Sequence, residues 1–476
     1  MQLPKGRKMF YFLFPLISFY TVFSLWFAVA SFKEKCIRAA LLGMITFLVL
    51  AGALSALTWA KGAGHLSNVI AQGIQLIVGA GFAAFTILMF IPLGRNPKAL
   101  LGTKGMAEGK AEKFNQKDTA FSIAHVGGYG LEAARNRWAL QSQDPFGGLF
   151  WTLVMGLRYQ VDGKVNPNKR EGFSAEEMTK EIKRKARYLG ADLVGITTRK
   201  DDFTYSEGFS YEESKLEVGP AVTTFIELKH KYVVVLGKEM NYPVIKAALT
   251  EKDNGSLGEI GKSYNEVAQV ACALAGYIRQ LGYAARAHHL RNDQIMHVPH
   301  AVDAGLGEQG RFSYLINAKY GPRVRLAAVT TDLELLEGKP VDIGVQDFCE
   351  NCRLCEINCP CQALPAEKTV VRGYERWLQD QDKCFNFWVS GANTFACTLC
   401  INSCPWNKPQ SFVHNVSFFA ATRSVIARRF LYWISVIFYG KKIRWKRIPL
   451  PVEVAIPPET ASWSRKDQPA ASNGST

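Results

Sequence analysis

Residues 349–360 read Cys-Glu-Asn-Cys-Arg-Leu-Cys-Glu-Ile-Asn-Cys-Pro. Cysteines separated by two, two and three residues and closed by a proline are typical of segments that bind [4Fe–4S] clusters through thiolates. A second group of cysteines, also closed by a proline, ends before residue 406. Because the fourth cysteine of such a run ligates the other cluster of a pair, the spacing predicts a ferredoxin-like module of two clusters at 348–410. The predicted ligand sets are Cys349, Cys352, Cys355 and Cys404 for the first cluster and Cys359, Cys384, Cys397 and Cys400 for the second.

Zinc is the alternative occupant of a cysteine-rich segment. Three consecutive short spacings capped by proline fit a cuboidal cluster better than a tetrahedral ion. Cys361 is one cysteine more than two clusters need, and it could perturb a cluster or have no effect. Outside this region only Cys36 and Cys272 remain, which excludes a disulfide framework. Because cluster assembly needs reduced thiols, we expect the cofactors to be loaded in the cytoplasm.

The composition and the N-terminus together suggest a membrane protein. The chain has 57 Lys and Arg against 41 Asp and Glu, a net charge of +16, which suits nucleic acid or an anionic membrane surface. Residues 9–32, 36–59 and 70–93 are apolar stretches, each long enough for the roughly 20 residues that span a bilayer. They follow one another too closely for a signal peptide. We therefore predict a transmembrane anchor of three helices at 1–93.

The orientation of this predicted anchor follows from its flanking charges. Lys and Arg are more numerous on the cytoplasmic side if the N-terminus lies outside the cell. This predicts a multi-pass protein of the inner membrane whose catalytic domain faces the cytoplasm. Residues 94–172 are interpreted as a linker or adaptor. Residues 411–476 are interpreted as a basic amphipathic segment and tail, which either lies on a membrane surface or covers the cluster module.

Residues 173–347 have the pattern of one α+β or α/β domain. Ser174 and Glu177 form a predicted capping box, and the helix they open is expected to stop at Gly190. A second helix with one apolar face is predicted at 261–281. Predicted strands occupy 193–196, 232–236, 312–316 and 324–330.

Several motifs in this domain have a structural and a functional interpretation. Gly305, Gly307 and Gly310 match G-x-G-x-x-G, but a helix-like segment precedes them where a dinucleotide site needs a strand. Close backbone approach to another large ligand is favoured. Four histidines at 288, 289, 297 and 300 match no named metal spacing, so local hydrogen bonding is favoured over metal ligation. Arg323 and Arg325 are expected on one face of a strand, either as ion-paired arginines or as an anion-binding pair.

Several segments between about residues 173 and 410 together resemble one protein family. The segments at 298–311, 320–325 and 347–349, the twelve-residue gap after Cys384, and the ending Cys-Pro-Trp-Asn at 404–407 resemble corrinoid-dependent reductive dehalogenases. The resemblance implies a nitroreductase-like α+β corrinoid domain at 173–347 with a two-cluster module. It also implies cobalamin bound in its base-off form, an organohalide substrate and a low-potential electron donor such as ferredoxin, flavodoxin or a quinol-linked protein.

The resemblance also assigns roles to individual residues. Tyr264, in Gly-Lys-Ser-Tyr, matches the catalytic tyrosine, although an apolar helix face would by itself favour a core tyrosine. Arg325 and Asn292 match its partners, and two extra residues precede Asn292. The expected corrinoid contacts are Gly305, Gly307, Gly310 and Tyr320. Reduction of a carbon–halogen bond leaves a product that needs a proton, and a tyrosine hydroxyl beside a cationic arginine can supply it.

Two alternatives come from other functional classes. An epoxyqueuosine reductase-like tRNA enzyme would share cobalamin and clusters and would explain the positive charge. Three membrane spans and the spacing of the second cysteine set favour a dehalogenase, so we expect no nucleic acid partner. A membrane-bound ferredoxin without catalysis would need neither the domain at 173–347 nor Tyr264. The absence of a twin-arginine signal departs from exported respiratory dehalogenases.

Overall fold

The computed structural model describes residues 20–29, 37–62, 87–130, 145–214, 219–247, 255–389 and 396–443, with isolated positions between these ranges. The chain divides into two compact units. One comprises Met1–Gly94 and Phe419–Lys441, and the other comprises Arg95–Phe418 and Lys442–Thr476.

The helices are, in chain order, α1 Ile37–Gly62, α2 Ala120–His125, α3 Pro145–Gly156, α4 Ala175–Tyr188, α5 Tyr242–Ala247, α6 Gly255–Gln280, α7 His297–Asp303, α8 Val345–Cys352, α9 Leu354–Ile357, α10 Gln381–Val389, α11 Leu399–Ser403, α12 Phe412–Ala421 and α13 Val425–Tyr439. The strands are β1 Leu193–Thr198, β2 Glu207–Phe209, β3 Thr223–Phe225, β4 Tyr232–Glu239, β5 Ala285–His288, β6 Glu308–Gln309, β7 Leu315–Ile316, β8 Val324–Thr331, β9 Thr369–Val371 and β10 Tyr374–Arg376. Short 3-10 helices occupy Ala99–Met106, Gln116–Asp118, Leu157–Gln160 and Asp201–Phe203.

The first unit joins N-terminal helical segments to α13. Ser424 caps α13, because its hydroxyl accepts from Ala427 N at 3.3 Å and donates to Leu88 O at 2.7 Å. The ring of Phe438 meets that of Phe27 edge-on at 5.1 Å. Within the predicted C-terminal amphipathic segment, residues 425–439 are therefore a helix that packs on the N-terminal helical segments.

The described residues do not support the predicted three-helix transmembrane anchor. Among the described residues, no helix is both long and apolar enough to cross a bilayer. The second predicted stretch forms α1, whereas residues 9–17 and 70–83 lie outside the described part of the chain. The apolar composition of the stretches was the only basis for the prediction.

The second unit contains α4, and its ends follow the predicted signals. Ser174 Oγ accepts from Glu177 N at 3.2 Å, and Ser174 N donates to Glu177 Oε2 at 2.8 Å. This reciprocal pair is the predicted capping box and satisfies donors that a helix leaves unpaired. Beyond the C-terminus, Gly190 has φ 108, a backbone conformation that glycine adopts without a Cβ clash.

A four-stranded antiparallel sheet with the order β1-β4-β8-β5 forms the centre of the unit. Three predicted strands are present and extended by a few residues. The prediction of a strand at 312–316 is wrong for most of its length, because Ser313 has φ 64 and its N–H bonds to Gly310 O at 3.0 Å in a turn. Only Leu315–Ile316 remains extended, and β5 was not predicted.

Helix α6 packs across this sheet. Val267, Leu274 and Ile278 share its apolar face and are at most 1% exposed, in one core cluster with Val234 and Val329 of the sheet. Full burial of each such side chain contributes roughly 1.5–3 kcal/mol. Tyr264 lies one turn before this buried run and is half-buried. The packing of α6 on the sheet therefore restricts the position of the Tyr264 ring.

The predicted linker at 94–172 contributes to the same body as the sheet. Thr103 donates to the carboxylate of Asp303 from both its backbone N and its hydroxyl, each at 2.8 Å. Gln116 Nε2 donates to Asp293 O at 3.0 Å. These contacts bring the segment over α7 and the loop before it.

Candidate active site

The first predicted cysteine set lines one small cavity. The four cysteines line this cavity together with Arg311 and Trp406. Helices α8 and α9 supply the first three cysteines, and Arg353 between the two helices has φ 51, which turns the chain sharply. Burial and then the neighbouring thiols Cys349 and Cys404 raise the pKa of Cys355. The four residues predicted to act together are therefore neighbours.

The second predicted set also converges. Burial raises the pKa of Cys384, and the next causes are the nearby thiols of Cys400, Cys397 and Cys359. All four are free thiols. The Sγ of Cys361 lies 3.7 Å from that of Cys359, so the ninth cysteine of the region is at the edge of this set.

The histidines at 288–300 make local hydrogen bonds. His288 Nε2 lies 2.8 Å from Thr330 Oγ1, and His300 Nδ1 lies 2.6 Å from Met296 O. Within the described ranges, no group of three or more His, Cys, Asp or Glu is spaced to hold a single metal ion. The Nε2 atom of His297 is buried without a partner, and this residue lines the large cleft.

The cleft lies between the sheet, α7 and the strands β9 and β10. Its interior is about 410 Å³, and the space is about 1740 Å³ when its open mouth is included. Ligand pockets commonly have roughly 300–1,000 Å³, so the wide mouth leaves room for a large cofactor. The lining combines apolar side chains such as Val324 and Leu326 with Tyr264, Arg325 and His297.

Tyr264 and Arg325 meet in this cleft. The guanidinium carbon of Arg325 lies 4.8 Å from the centroid of the Tyr264 ring. The centroid of the Tyr264 ring is also 5.9 Å from that of the Trp151 ring. The Nε atom of Arg325 is buried without a hydrogen-bond partner, so the cleft holds a donor that the protein itself does not use.

Arg323 has a different environment from Arg325. Its side chain is fully buried and donates to Glu239 Oε1 at 2.6 Å, Met240 O at 2.6 Å and Lys408 O at 3.2 Å. It therefore serves the structure of the sheet edge. Of the two predicted roles, ion pairing describes Arg323, and anion binding by Arg325, whose Nε is buried in the cleft without a partner, stays a prediction.

Tyr314 lines the cleft and is close to two thiols of the second cysteine set. In the sequence it is only an aromatic residue in a short apolar run. Burial raises its pKa, and the next causes are the thiols of Cys400 and Cys384. The charge of Arg325 acts on the same hydroxyl in the opposite direction, and Tyr264 is also close enough to act on it. Tyr314 lines the cleft as well. It is the residue through which the cysteine set adjoins Tyr264 and Arg325.

Asn292 is not among the residues that line the cleft, whereas its neighbour Asp293 is. Asn292 N donates to His289 O at 2.8 Å, and its Nδ2 is buried without a partner. Asp293 accepts a hydrogen bond from the Tyr205 hydroxyl, and burial raises the pKa of its carboxyl to about 6. The sequence pointed to this dipeptide, but which of the two side chains reaches the cleft depends on tertiary structure.

The glycines predicted to contact a corrinoid approach the protein's own backbone. A Cβ on Gly305 would lie 2.2 Å from Lys339 O, and one on Gly307 would lie 2.1 Å from Ile316 O. Neither these glycines, nor Gly310, nor Tyr320 is among the residues that line the cleft, although Gln309 and Ser313 are. Their contact with a cofactor stays a prediction.

Known proteins are similar to this chain in sequence and in structure. The chain matches no family model. It is 34% identical over 304 residues to the tetrachloroethene reductive dehalogenase of Dehalobacter restrictus, over 55% of this chain and 54% of that protein. It is 29% identical over 267 residues to the tetrachloroethene reductive dehalogenase of Sulfurospirillum multivorans, over 50% of this chain and 52% of that protein. The solved structure of the catabolic reductive dehalogenase NpRdhA matches with a TM-score of 0.64 and 26% identity, over 73% of this chain and 51% of that one.

The chain is similar to reductive dehalogenases in sequence and in fold. These similarities support the resemblance to reductive dehalogenases that the sequence motifs predict. The chain spans about half the length of these reductive dehalogenases. An epoxyqueuosine reductase of Cyclobacterium marinum matches over a shorter part, with 29% identity over 127 residues and 23% of this chain.

Asp293 predicts a pH dependence of stability. A carboxyl whose pKa is about 6 in the folded protein and near 3.9 when unfolded favours folding most when protonated. This contribution is therefore lost as pH rises from about 4 to 6, by about 3 kcal/mol at roughly 1.4 kcal/mol per pKa unit. In Asp293→Asn the contribution is absent. Thermal midpoints measured from pH 4.5 to 8 should fall for the wild type relative to the variant up to pH 6 and run parallel above it; a constant difference across the range would contradict the assignment.

Proposed function

We propose that the protein is a reductive dehalogenase that removes halide from an organohalide, with electrons passed through two [4Fe–4S] clusters to a corrinoid. The observation that carries the proposal is the arrangement around Tyr314. This buried tyrosine lines the cleft that contains Tyr264 and Arg325, and the thiols of Cys400 and Cys384 from the second cysteine set are close enough to raise its pKa further after burial. An electron-transfer group placed directly beside a pocket with a proton donor suits reductive chemistry.

The residues present fit the cofactors that the resemblance implies. Eight free cysteines fall into two groups of four, and the first group encloses a cavity, which matches the ligand count of two [4Fe–4S] clusters. The cleft is wide at its mouth and contains buried polar atoms without partners, on Arg325 and His297. Such atoms are costly unless a ligand satisfies them. The corrinoid, when bound there, supplies the low-potential cobalt chemistry that breaks the carbon–halogen bond.

The chain's own groups complete the reaction. Replacement of halogen by hydrogen consumes two electrons and one proton and releases a halide ion. The Tyr264 hydroxyl is the proposed proton donor, because it is the phenol that adjoins Arg325 in the cleft. The Arg325 guanidinium stabilises the negative charge that remains on the oxygen after transfer. Apolar walls exclude water, which protects reactive intermediates from side reactions.

The substrate class is an organohalide, and its identity belongs to the test. The relatives include tetrachloroethene reductive dehalogenases, and NpRdhA has been solved in complex with 3-bromo-4-hydroxybenzoic acid. A panel should therefore contain both chlorinated alkenes and halogenated phenols. The electron donor, expected to be a low-potential protein or quinol-linked carrier, and the cytoplasmic location of the catalytic domain stay predictions.

The first experiment measures cofactors and halide together. Protein reconstituted anaerobically with iron, sulfide and cobalamin should hold about eight irons and one cobalt per chain, as two [4Fe–4S] clusters and one corrinoid require. With reduced methyl viologen as electron source, it should release halide from members of the panel. Eight irons without cobalt would instead indicate an electron-transfer protein. Cobalt without halide release, together with reduction of epoxyqueuosine in tRNA, would indicate the alternative tRNA enzyme.

Tyr264→Phe tests the proton donor. Loss of the hydroxyl should lower halide release by about 10²–10⁴-fold, the usual contribution of a positioned acid, while iron and cobalt content stay unchanged. Tyr277→Phe is the matched control on the same helix, because its hydroxyl bonds Glu181 at 3.2 Å and the residue is not among those that line the cleft. Normal turnover by Tyr264→Phe would remove this residue from the mechanism.

Arg325→Gln and Arg323→Gln should separate chemistry from structure. Arg325 lines the cleft, so its loss should lower halide release by about 10²–10³-fold and change the thermal midpoint little. Arg323 is fully buried and holds one carboxylate and two carbonyls, so its loss should cost about 3 kcal/mol of stability. Equal loss of stability in both variants would refute the assignment of separate roles.

A further inference from the structure

Arg311 is a buried cation at the first cysteine set. Its side chain is 1% exposed, and the residue lines the cavity formed by Cys349, Cys352, Cys355 and Cys404. None of the cleft chemistry uses it. The isolated charge of such a group is costly to bury and is retained only with strong compensation.

Backbone carbonyls fix the guanidinium in place. Its Nε and Nη2 atoms donate to Cys349 O at 3.3 and 2.6 Å. Its Nη1 donates to Pro365 O at 2.8 Å and also to Ala366 O. The guanidinium carbon lies 5.0 Å from the centroid of the Trp377 ring. Since these N–H groups bond carbonyls, the influence of Arg311 on a cluster in this cavity is that of a fixed charge.

Glu356 supplies a carboxylate that forms ion pairs with both Arg311 and Arg353. Glu356 Oε2 lies 3.6 Å from Arg311 Nη1, but Arg353 holds both oxygens of the same carboxylate, at 2.8 and 2.6 Å. Arg353 is 46% exposed and Glu356 21% exposed, so water also screens that pair. The ammonium of Lys368 lies 4.5 Å from the Trp377 ring and pairs with Glu350 at 2.9 Å. Arg311 is the buried one of the two arginines, Arg311 and Arg353, that line this cavity. The carboxyl of Glu308 also acts on Cys349, in the sense opposite to Arg311.

We propose that Arg311 sets the reduction potential of the cluster on Cys349, Cys352, Cys355 and Cys404, holding it above the value that the cluster would have without a buried cation. The inference rests on the proposed function only for the presence of the clusters. A cluster ligated by four thiolates gains one negative charge when it accepts an electron, and a nearby fixed cation stabilises the reduced form. Net charge near the cluster is one of the factors that set such potentials.

Because the proposed effect comes from the positive charge of Arg311, variants that change charge and hydrogen bonding separately can test it. Arg311→Gln keeps hydrogen-bonding groups and removes the charge, whereas Arg311→Lys keeps the charge. Glu356→Gln removes the opposing carboxylate. Arg353→Gln removes an exposed cation from the same ion-pair group and is the matched control.

The test is a redox titration of the anaerobically reconstituted full chain, followed by EPR spectroscopy, with the first cluster identified as the signal altered in Cys352→Ser. In Arg311→Gln the one-electron equilibrium of this cluster should shift tenfold or more towards the oxidised form, equivalent to ~59 mV per tenfold. Arg311→Lys should recover most of that shift, and Glu356→Gln should shift the equilibrium the other way. The second cluster should titrate as in the wild type, and Arg353→Gln should have a small effect.

An unchanged first-cluster potential in Arg311→Gln overturns the proposal. If that variant fails to assemble the first cluster, Glu356→Gln decides, and an unchanged potential there also overturns it. These outcomes are separate from those of the proposed function. Clusters that titrate as expected in a protein without halide release support the role of Arg311 and refute the dehalogenase, whereas halide release with unchanged potentials does the reverse.

Discussion

The buried guanidinium of Arg323 connects the parts of the second unit that the chemistry needs. It donates to Glu239 and Met240 at the end of β4 and to Lys408, just beyond the last cluster cysteine. Burial of a cation is costly without partners, so the three hydrogen bonds from the Nη atoms of Arg323 hold the sheet edge and the segment after Cys404 in one arrangement. Two residues further along the chain, Arg325 projects into the cleft from the strand that this arrangement fixes.

The position of Tyr264 depends on a different interaction. Helix α6 buries an apolar face against the sheet, and this packing leaves Tyr264 half-exposed over β8, within 4.8 Å of Arg325. Dispersion and hydrophobic burial are not directional, but the close packing of a core leaves little freedom to a residue one turn away. The proximity of Tyr264 to Arg325 is thus a consequence of core packing.

The two cysteine sets have different surroundings. The first set lines a cavity with Arg311, a buried cation held by carbonyl oxygens. Two thiols of the second set are close to Tyr314, which lines the cleft with Tyr264 and Arg325. The electron path proposed above would therefore have a fixed cation near one cluster and the cleft near the other.

Local signals in the sequence determined the cysteine grouping, the capping box at Ser174 and three strands of the central sheet, and they pointed to Tyr264 and Arg325 as candidate site residues. Each depends on spacing, on a periodic apolar face or on a motif carried by adjacent residues. The same reasoning failed at 312–316, where a turn with a positive φ at Ser313 interrupts an apolar run, and the predicted transmembrane anchor is not supported by the described residues. Tertiary structure alone determined the surroundings of three further groups: Tyr314, the pair of Asp293 and Tyr205, and Arg311. Their roles depend on partners many residues away in the chain, and a single sequence does not record which distant groups a side chain will meet.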